Sequence, residues 1–481
     1  MTIKAPIKPT TQFRSDSNQM SRDLRHRGLV QTAMGKYEAV RRGTQAGFQD
    51  WQAARQAASE TKWEALNHLD HYLDEFCRQT EARGTQVFWA STAEEASAYV
   101  LDLCRRVNAK ELIKSKSMTT EEIHLNEALE AAGYGVAESD LGEYIVQLRG
   151  ETPYHIVFPA MHLTRGEISD TFTKELGTPK SDSPEELTMI ARHVLRDKYL
   201  SADIGISGAN FAVAETGMIS ITENEGNARL TTSVPRIHVA VLGIEKVLPK
   251  MADLALFLPM LATAGTGQAL TCYNSLIGGP RLPGETDGPE EFHVILLDNG
   301  RTDILADPEQ RDTLHCIRCG ACLNVCPVFK NVGGHAYGTT YPGPIGSVIT
   351  PHLRGLQEWK HLSAASSLCG ACTETCPVGI DLHHHLLRNR RNATKAQPDL
   401  LEEKAYQGFA FVMTHPTLYR WLTHLVPFLQ PLQRLVNGRR VDPLYGWTQS
   451  RDFPAVQPRT FKDYWAEREA KKPGEKSGEK S

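Results

Sequence analysis

Long hydrophobic runs, an excess of basic charge and a secretory start are all missing from this sequence. Its most apolar stretch, residues 254–262, is too short to span a bilayer and contains Pro259, so no transmembrane segment is predicted. The net charge is −4 at pH 7, and no helix-turn-helix or basic patch is recognisable, which argues against nucleic acid as a partner. Residues 1–10 lack the apolar region of a signal peptide, so a cytoplasmic location is expected.

The sequence also lacks a flavin or nicotinamide fingerprint of three glycines and a distal acid. The nearest pattern is the turn Gly265-Thr-Gly-Gln268, whose two glycines permit close approach of the backbone to an anion. It has no third glycine and no Lys-Ser/Thr ending. A self-contained dehydrogenase is therefore not supported, although Thr266 and Gln268 remain candidate anion-binding residues.

Cysteine is rare outside two short runs, which hold seven of the ten cysteines. The first run has the spacing C-x2-C-x2-C-x3-C-P and the second is similar; their members are Cys316, Cys319, Cys322 and Cys326, then Cys369, Cys372 and Cys376. This spacing is that of two-cluster ferredoxins, in which the fourth thiolate of a run binds the other cluster. Disulfide frameworks suit small secreted domains, and structural zinc does not require the third cysteine or the trailing proline. The runs therefore predict iron–sulfur clusters.

Between residues 84 and 300, short apolar segments alternate with helical patterns. Strands are predicted over residues 86–90, 111–115, 135–138, 144–148, 155–158, 212–214, 218–222, 237–242 and 292–297. Helices are predicted over residues 93–108, from a cap at Thr119 to about Gly133, and over residues 184–202. This alternation predicts an α/β domain whose largely parallel sheet is covered by helices on both faces.

Four further regions flank this domain. We expect disorder over residues 1–20, helices over 21–83, an iron–sulfur domain over 301–395, and a C-terminal segment over 396–481 with a disordered tail. The 43-residue step from Cys326 to Cys369 is longer than a compact β-type ferredoxin needs, which favours an α-helical ferredoxin-like domain with each cysteine run at a helix start.

The C-terminal segment is expected to be partly helical. Helical pieces are predicted over residues 409–413 and 418–436, the second interrupted at Pro427 and Pro431. An extended aromatic stretch is expected to follow, as far as Trp465. This segment gives no signal for a site.

Polar residues that bracket the predicted strand at 218–222 form a candidate anion or substrate site. They are Glu215, Thr216, Glu223, Asn227 and Arg229. Ligands of open α/β sheets bind at the carboxyl ends of strands, so some of these side chains could converge there. The alternative is ordinary capping and turn chemistry, which these residue types also perform.

Three other groups of residues have both a functional and a plainer interpretation. Lys114 and Lys116 precede a predicted capped helix and could hold an anion, but a solvated turn is favoured. The histidines at 383–385 could bind a metal, but consecutive helical residues point in different directions, which favours a solvated face. His335 and His352 are near enough in sequence to the cysteine runs to be considered as ligands, and loop and helix histidines are the plainer interpretation.

Several stretches resemble the lactate-utilisation protein B family. They are residues 114–123, 140–145, 215–217, 224–227 and 334–338, together with both cysteine runs, and the resemblance covers about residues 20–465. It implies a lactate-utilisation-type α/β domain, similar in fold to the phosphosugar-isomerase and CoA-transferase group, a ferredoxin domain and a family-specific C-terminal segment. It also implies an iron–sulfur subunit of a three-protein L-lactate oxidation system, whose partners are a cysteine-rich iron–sulfur protein and a second α/β-domain protein.

The crossover rule assigns ligands to two [4Fe–4S] clusters. Cys316, Cys319, Cys322 and Cys376 would bind the first, and Cys326, Cys369 and Cys372 the second. Ser366 stands where a fourth cysteine would complete the second set. The second cluster could be [4Fe–4S] with Ser366, water or another group at its fourth iron, which is favoured, or [3Fe–4S], or completed by a partner protein.

Two functions follow from these observations and the resemblance. The first is an electron-transfer subunit that supports oxidation of L-lactate to pyruvate with partner subunits and so allows growth on lactate. The second is a hydroxy-acid oxidising enzyme in its own right, with substrate bound in the α/β domain. An iron–sulfur sensor is a weaker third possibility, since no DNA-binding motif is recognisable.

Overall fold

The computed structural model of the protein describes residues 9–437, 439, 441–442, 445–448, 451 and 454–471. The chain divides into two compact units, Met1–Lys395 and Ala396–Ser481. The first unit contains the N-terminal helices, the α/β region and both cysteine runs. These three predicted regions therefore build one body together.

Four helices precede the first strand: α1 Pro9–Arg22, α2 Leu24–Gln45, α3 Trp51–Asn67 and α4 Leu69–Glu81. The prediction of disorder over residues 1–20 is wrong for residues 9–20, and residues 1–8 lie outside the described part. Helix α1 is held by distant parts of the chain. The Phe13 ring lies 5.8 Å from that of Tyr337 and 5.5 Å from that of His361. Composition does not reveal such contacts.

A six-stranded, wholly parallel sheet forms the centre of the α/β region. Its strands are β1 Gln86–Ala90, β2 Glu111–Lys114, β3 Gly135–Glu138, β4 Ile204–Ser207, β7 Ile237–Gly243 and β10 Glu291–Leu297. They lie in the order β1-β10-β7-β4-β2-β3. Every residue of β7 is buried, as expected for a central strand covered on both faces. The predicted parallel sheet is confirmed.

A second, four-stranded sheet was not foreseen. It consists of β5 Phe211–Val213, β6 Met218–Glu223, β8 Val247–Leu248 and β9 Tyr273–Ile277, in the order β8-β5-β6-β9. Strands β5 and β6 are antiparallel and joined by a tight turn at Gly217, whose φ is +64°. A Cβ at Gly217 would lie 2.4 Å from the Thr80 nitrogen of α4. This close approach explains why glycine is required there.

Eight helices accompany the two sheets: α5 Ala93–Arg106, α6 Met118–Glu122, α7 Leu125–Ala131, α8 Leu141–Leu148, α9 Arg165–Leu176, α10 Pro184–Ser201, α11 Asn227–Ser233 and α12 Leu254–Gly265. Short 3₁₀ turns lie at Ile244–Lys246 and Met251–Asp253.

Three local predictions in this region are wrong. Residues 144–148 belong to helix α8 because the Asp140 side chain accepts a hydrogen bond from the Glu143 N–H and caps it. Residues 155–158 form no strand. Helix α6 starts at Met118, with Ser117 as its cap in place of Thr119.

Residues 301–396 contain no strand, all of them being described. Their helices are α13 Arg301–Ala306, α14 Ala321–Val325, α15 Phe329–Val332, α16 Gly343–Arg354, α17 Leu356–Ala364, α18 Ala371–Thr375 and α19 Leu382–Ala396, with 3₁₀ turns at Arg311–His315 and His335–Tyr337. The region is helical, as predicted, and α14 and α18 start inside the cysteine runs. Leu323 and Phe329 share one hydrophobic core with Tyr154 and Phe257 of the α/β region.

The second unit contains α20 Leu400–Thr414, α21 Pro416–Val436, α22 Tyr445–Thr448 and α23 Phe461–Lys471. Helix α21 continues through Pro427 and Pro431, so the predicted interruptions are wrong. Helix α23 replaces the predicted extended stretch near Trp465. The predicted disordered tail beyond Lys471 lies outside the described residues. Across the described helices, none is both long and apolar enough to cross a membrane.

Candidate iron–sulfur centre and adjoining cavity

The two cysteine runs have the same local backbone. Arg318 and Leu368, each just before a cysteine, have positive φ angles of 59° and 54°. Gly320 and Gly370, each just after that cysteine, have φ angles of 75° and 80°. A five-residue helix follows in both cases. Consecutive left-handed residues turn the chain sharply and let each loop curl around one point.

Ser366 occupies the position in the second loop that Cys316 occupies in the first. The Arg318 N–H donates to the Cys316 sulfur over 3.4 Å. The Leu368 N–H donates to the Ser366 hydroxyl over 3.2 Å. The serine oxygen therefore makes the same backbone contact as the cysteine sulfur.

The two loops differ in depth. Cys319, Cys322, Cys372 and Cys376 are buried, and Cys316 and Cys326 are half-buried. Cys369 is exposed. The second loop thus reaches the protein surface at Cys369, while its counterpart in the first loop, Cys319, lies inside.

Electrostatic interactions sort the cysteines into two groups that cross between the runs. Burial raises the pKa of Cys319, and the neighbouring Cys376 and Cys316 raise it further. Burial likewise raises the pKa of Cys372 to about 11, with Cys326 and Cys369 as its cysteine neighbours.

Cys376 and Cys326 fall into the same two groups of cysteines. Burial raises the pKa of Cys376 to about 11, and Cys316 adds to this shift. For Cys326 burial again dominates, and its cysteine neighbour is Cys369. Cys322 interacts with Cys319 and Cys316, and also with Cys372 of the other group. The two groups are therefore adjacent.

The donor set fits iron–sulfur clusters. All ten cysteines, each within the described residues, are free thiols, so neither run is tied up in disulfides. A raised thiol pKa reflects the cost of several buried thiolates side by side, and iron would offset that cost. Backbone N–H groups also point at sulfur: those of Phe329 and Ile380 donate to Cys326 and Cys376 over 3.5 and 3.4 Å. Such hydrogen bonds tune cluster sulfurs.

A buried ion-pair chain ties the first loop to the sheet. Arg318 lies 3.4 Å from a carboxylate oxygen of Glu245, whose other oxygen accepts from Arg301 over 2.6 Å. Arg301 also pairs with Glu122 over 2.9 Å, and the Tyr341 hydroxyl donates to Glu122 over 2.7 Å. Although burial opposes ionisation, these cations hold the pKa of Glu245 at about 2.

A cavity of about 320 Å³ lies between the α/β region and the first cysteine loop. Ser115, Asp140 and Gly208, which follow strands β2, β3 and β4, lie in its wall. Strands β3 and β4 lie on opposite sides of β2, so this is a point where the strand order reverses, a usual ligand position in such sheets. Arg318 and Cys319 close the cavity from the other side.

Three cationic side chains line this cavity: Lys116, Lys246 and Arg318. The Lys116 ammonium donates to the Val157 carbonyl over 2.7 Å. Lys246 is only 6% exposed, and no hydrogen-bond or ion-pair partner lies at its ammonium within the described residues. Burial and the charge of Arg318 lower the pKa of Lys246 to about 8, although Glu245 acts in the opposite direction.

The residues predicted from the strand at 218–222 do not act as one group. Glu223, Asn227 and Thr266 line the cavity. Glu223 nonetheless performs the capping role that was the alternative, since its carboxylate accepts from the Ala228 and Arg229 N–H groups over 2.6 and 2.9 Å.

The other predicted residues of this site lie outside the cavity wall. The Glu215 carboxylate accepts from the Met251 N–H over 2.8 Å, and the Thr216 carbonyl accepts from Arg83. Arg229 is exposed and lies 5.2 Å from the Tyr273 ring centroid. Gln268 bonds Asn224 and Thr266.

The two glycines of the 265–268 turn serve close packing. A Cβ at Gly265 would lie 3.1 Å from the Cys319 carbonyl, and one at Gly267, where φ is +80°, would lie 2.8 Å from Val40. The turn therefore brings α12 against the first cysteine loop and α2.

The plainer interpretation of the lysine and histidine candidates is wrong for two residues, Lys114 and His385. Lys114 is fully buried and paired with Glu121 and Glu138, each over 2.8 Å, so a solvated turn is wrong for it. His385 is also buried and lies 3.0 Å from Asp312, so the solvated face is wrong for this histidine.

The other candidate histidines form hydrogen bonds or ion pairs with neighbouring protein groups. His383 and His384 approach Asp381 near the surface. His335 donates to the Thr152 carbonyl over 2.8 Å, and His352 bonds Asn389 over 2.9 Å. The sequence interpretation missed Lys246, although it ends the short turn that follows strand β7. It also missed Arg318, although that residue lies inside the first run.

Three family models match successive parts of the chain. The LUD domain matches residues 73–297, the 4Fe-4S dicluster domain residues 312–380, and the C-terminal domain of lactate utilisation protein B residues 383–470. The fold and the cysteine loops thus define an iron–sulfur-binding protein built on a LUD domain.

Curated relatives match over nearly the full length. Lactate utilization protein B of Bacillus licheniformis is 44% identical over 93% of this chain and 94% of its own. The Shouchella clausii protein of that name is 45% identical over 92% and 94%, and the Bacillus subtilis one 43% over 92% and 93%. A solved DUF162 family protein from Deinococcus radiodurans covers 48% of this chain and 98% of its own, at 14% identity and a TM-score of 0.28. The chain therefore belongs to the lactate utilization protein B family, as its sequence predicted.

Proposed function

We propose that this chain is the iron–sulfur electron-transfer subunit of a system that oxidises L-lactate to pyruvate. The observation that supports the proposal is the crossing of the two cysteine groups, which would hold two clusters side by side. Iron–sulfur clusters accept and release single electrons. The oxidation of lactate removes two electrons, so two neighbouring one-electron carriers suit it.

We assign Cys316, Cys319, Cys322 and Cys376 to the first cluster and Cys326, Cys369 and Cys372 to the second. The electrostatic grouping of the thiols supports this assignment. We propose two [4Fe–4S] clusters, the second with a non-cysteine group at its fourth iron. Ser366 is the candidate, since it shares the backbone contact of Cys316. A [3Fe–4S] form is the alternative.

The surrounding residues suit an electron relay. The exposure of Cys369 favours electron exchange with a partner at the second cluster, and the buried first cluster would exchange electrons internally. Arg55 steadies the second run from α3, donating to the Cys376 and Thr373 carbonyls over 2.8 and 3.1 Å. These backbone contacts fix the loop that supplies Cys376 to the first cluster.

The family membership supports partners of the same lactate-utilisation system, which we propose to be a cysteine-rich iron–sulfur protein and a second α/β-domain protein. We propose a cytoplasmic location, because free thiols in this number suit a reducing compartment. We further propose that the α/β region shares its fold with the phosphosugar-isomerase and CoA-transferase group.

Anaerobic titration of the purified, reconstituted protein with L-lactate tests this function. We expect cluster absorbance to remain unchanged with L-lactate alone and to bleach when the partner subunits are added. Dithionite serves as a control, because it should bleach the clusters in either case. Failure to bleach with partners present would contradict the proposal.

The cavity beside Cys319 favours a second candidate, a hydroxy-acid oxidising enzyme in its own right. Bleaching by L-lactate in the absence of partners would establish it and would exclude the pure relay. The two functions therefore predict opposite results in the same titration.

A further inference from the structure

The cavity at the ends of β2, β3 and β4 has walls of opposite charge. Lys246 and Arg318 lie in its wall together with Cys319 of the first cysteine loop. Asp140 and Glu225 belong to the lining contributed by the α/β region. A ligand that satisfies both kinds of group needs negative charge and hydrogen-bond donors.

Lys246 is the residue that most requires a ligand. It is almost fully buried. Glu245 and Cys316 place negative charge near it, but within the described residues neither forms a hydrogen bond or an ion pair with its ammonium. A buried cation is costly without a partner. Its neighbour Glu245 does not supply one, because the carboxylate oxygens of Glu245 face Arg301 and Arg318 over 2.6 and 3.4 Å.

The Asp140 and Glu225 carboxylates can each accept a further hydrogen bond. One oxygen of Asp140 accepts from the Glu143 N–H over 3.0 Å, and one oxygen of Glu225 accepts from the Leu141 N–H over 3.1 Å. Each carboxylate has two oxygens, so one remains for a ligand hydroxyl. Asn210, Asn224 and Asn227 add amide groups to the same lining.

We propose that this cavity binds an organic oxyanion that also carries hydroxyl groups. Lys246 and Arg318 take the oxyanion beside Cys319, and Asp140 and Glu225 take the hydroxyls. The volume, about 320 Å³, suits a ligand of up to sugar-phosphate or nucleotide size. The oxyanion is a phosphate or a carboxylate. Only the expected effect on the first cluster rests on the proposed function.

Calorimetric titration of the anaerobically reconstituted protein tests the site with three probes. Ribose 5-phosphate carries a phosphate and several hydroxyl groups, and L-lactate carries a carboxylate and one hydroxyl group. Inorganic phosphate supplies the oxyanion without an organic hydroxyl. We expect at least one hydroxylated probe to bind more tightly than inorganic phosphate. The tighter of the two identifies the oxyanion as phosphate or carboxylate. Absence of binding by both hydroxylated probes at 10 mM (about ten times the upper end of ordinary KM values) would overturn the proposal.

Lys246→Met removes the charge and retains an apolar stem of similar length. We expect it to weaken the bound probe about tenfold or more, as loss of a charged hydrogen bond does. Lys250→Met is the matched control, because Lys250 is exposed and outside the cavity wall. Equal affinities of the two variants would contradict the assignment. Circular dichroism confirms that both variants are folded.

Asp140→Asn tests the hydroxyl contacts while keeping the cap of α8, since asparagine caps as well as aspartate. It should weaken the hydroxylated probe severalfold without weakening inorganic phosphate, since the substitution removes a negative charge from the cavity wall. An unchanged hydroxylated probe would overturn the role of Asp140.

EPR of the reduced protein supplies a readout that is independent of turnover. A bound probe should alter the signal of the first cluster, which Cys319 serves, and leave the second unaltered. A change confined to the second cluster would overturn the location. The lactate titration with and without partners separately tests the proposed function, so the failure of one proposal is distinguishable from the failure of the other.

Discussion

The two cysteine loops share a backbone and differ in their surroundings. Both have left-handed residues on either side of a cysteine and a five-residue helix behind it. The first lies inside, joined to the sheet through Arg318 and Glu245, and the second opens to the surface at Cys369. The local sequence thus determines the backbone conformation of each loop, and packing against the rest of the chain determines its burial and charge environment. Substitutions in and around the two loops separate these two contributions.

The largest effect is expected from Cys369→Ser. Because Cys369 is assigned to the second cluster, the variant should lose about half of its iron, all from that cluster. Iron analysis with EPR measures this. Cys272→Ser is the control, since Cys272 is exposed and lies outside both runs. Equal iron loss at both clusters would contradict the assignment.

Arg301→Met should destabilise the protein by about 3–5 kcal/mol, because it leaves the buried Glu122 and Glu245 without their shared partner. Urea unfolding of the reconstituted protein measures the change in free energy. Arg236→Met is the control: its ion pair with Glu290 is exposed and screened by solvent, so its loss should change the free energy of unfolding little. Similar losses in the two variants would mean that the buried chain does not anchor the first loop.

The equivalent glycines should respond differently to alanine. Each substitution places a side chain in the left-handed region, which costs about 1–2 kcal/mol. A Cβ at Gly320 would also lie 3.0 Å from Val157 and 3.1 Å from His155, whereas one at Gly370 meets nothing within 4 Å. Gly320→Ala should therefore lower the free energy of unfolding more than Gly370→Ala. Equal losses would show that packing does not distinguish the loops.

The smallest effect on folding is expected from Ser366→Cys, which supplies the missing thiol at the position equivalent to Cys316. It should make the second cluster a [4Fe–4S] cluster that resists loss of iron in air. Any [3Fe–4S] EPR signal of the wild type should disappear. Ser366→Ala is the control and should increase that signal. A second cluster unaffected by either substitution would place its fourth group elsewhere.

The sequence was most informative where chemistry depends on short spacing. The cysteine runs predicted an iron–sulfur region, and the dicluster domain match confirms iron–sulfur binding there. The parallel sheet followed from alternating apolar segments, and the helical character of residues 301–395 from the length between runs.

Predictions from the sequence were wrong where the structure depends on contacts between residues far apart in the chain. Residues 144–148 are as apolar as a strand, but the Asp140 cap makes them helical. Lys114 lies in a polar stretch, yet Glu121 and Glu138 fold around it. Glu223, Asn227 and Thr266 were among the predicted anion-site residues and line the cavity. Lys246 and Cys319 were not foreseen there, because they are far apart in sequence and share a wall only in the folded chain.

The central claim is that the clusters take ligands across the two runs. The most direct measurement compares the Mössbauer and EPR spectra of Cys326→Ser and Cys376→Ser. Each of these cysteines is assigned to the cluster whose other ligands come mainly from the opposite run. The account predicts that Cys376→Ser damages the same cluster as Cys319→Ser, and that Cys326→Ser damages the same cluster as Cys372→Ser. Damage that follows the runs, with Cys326→Ser matching Cys319→Ser, would contradict it.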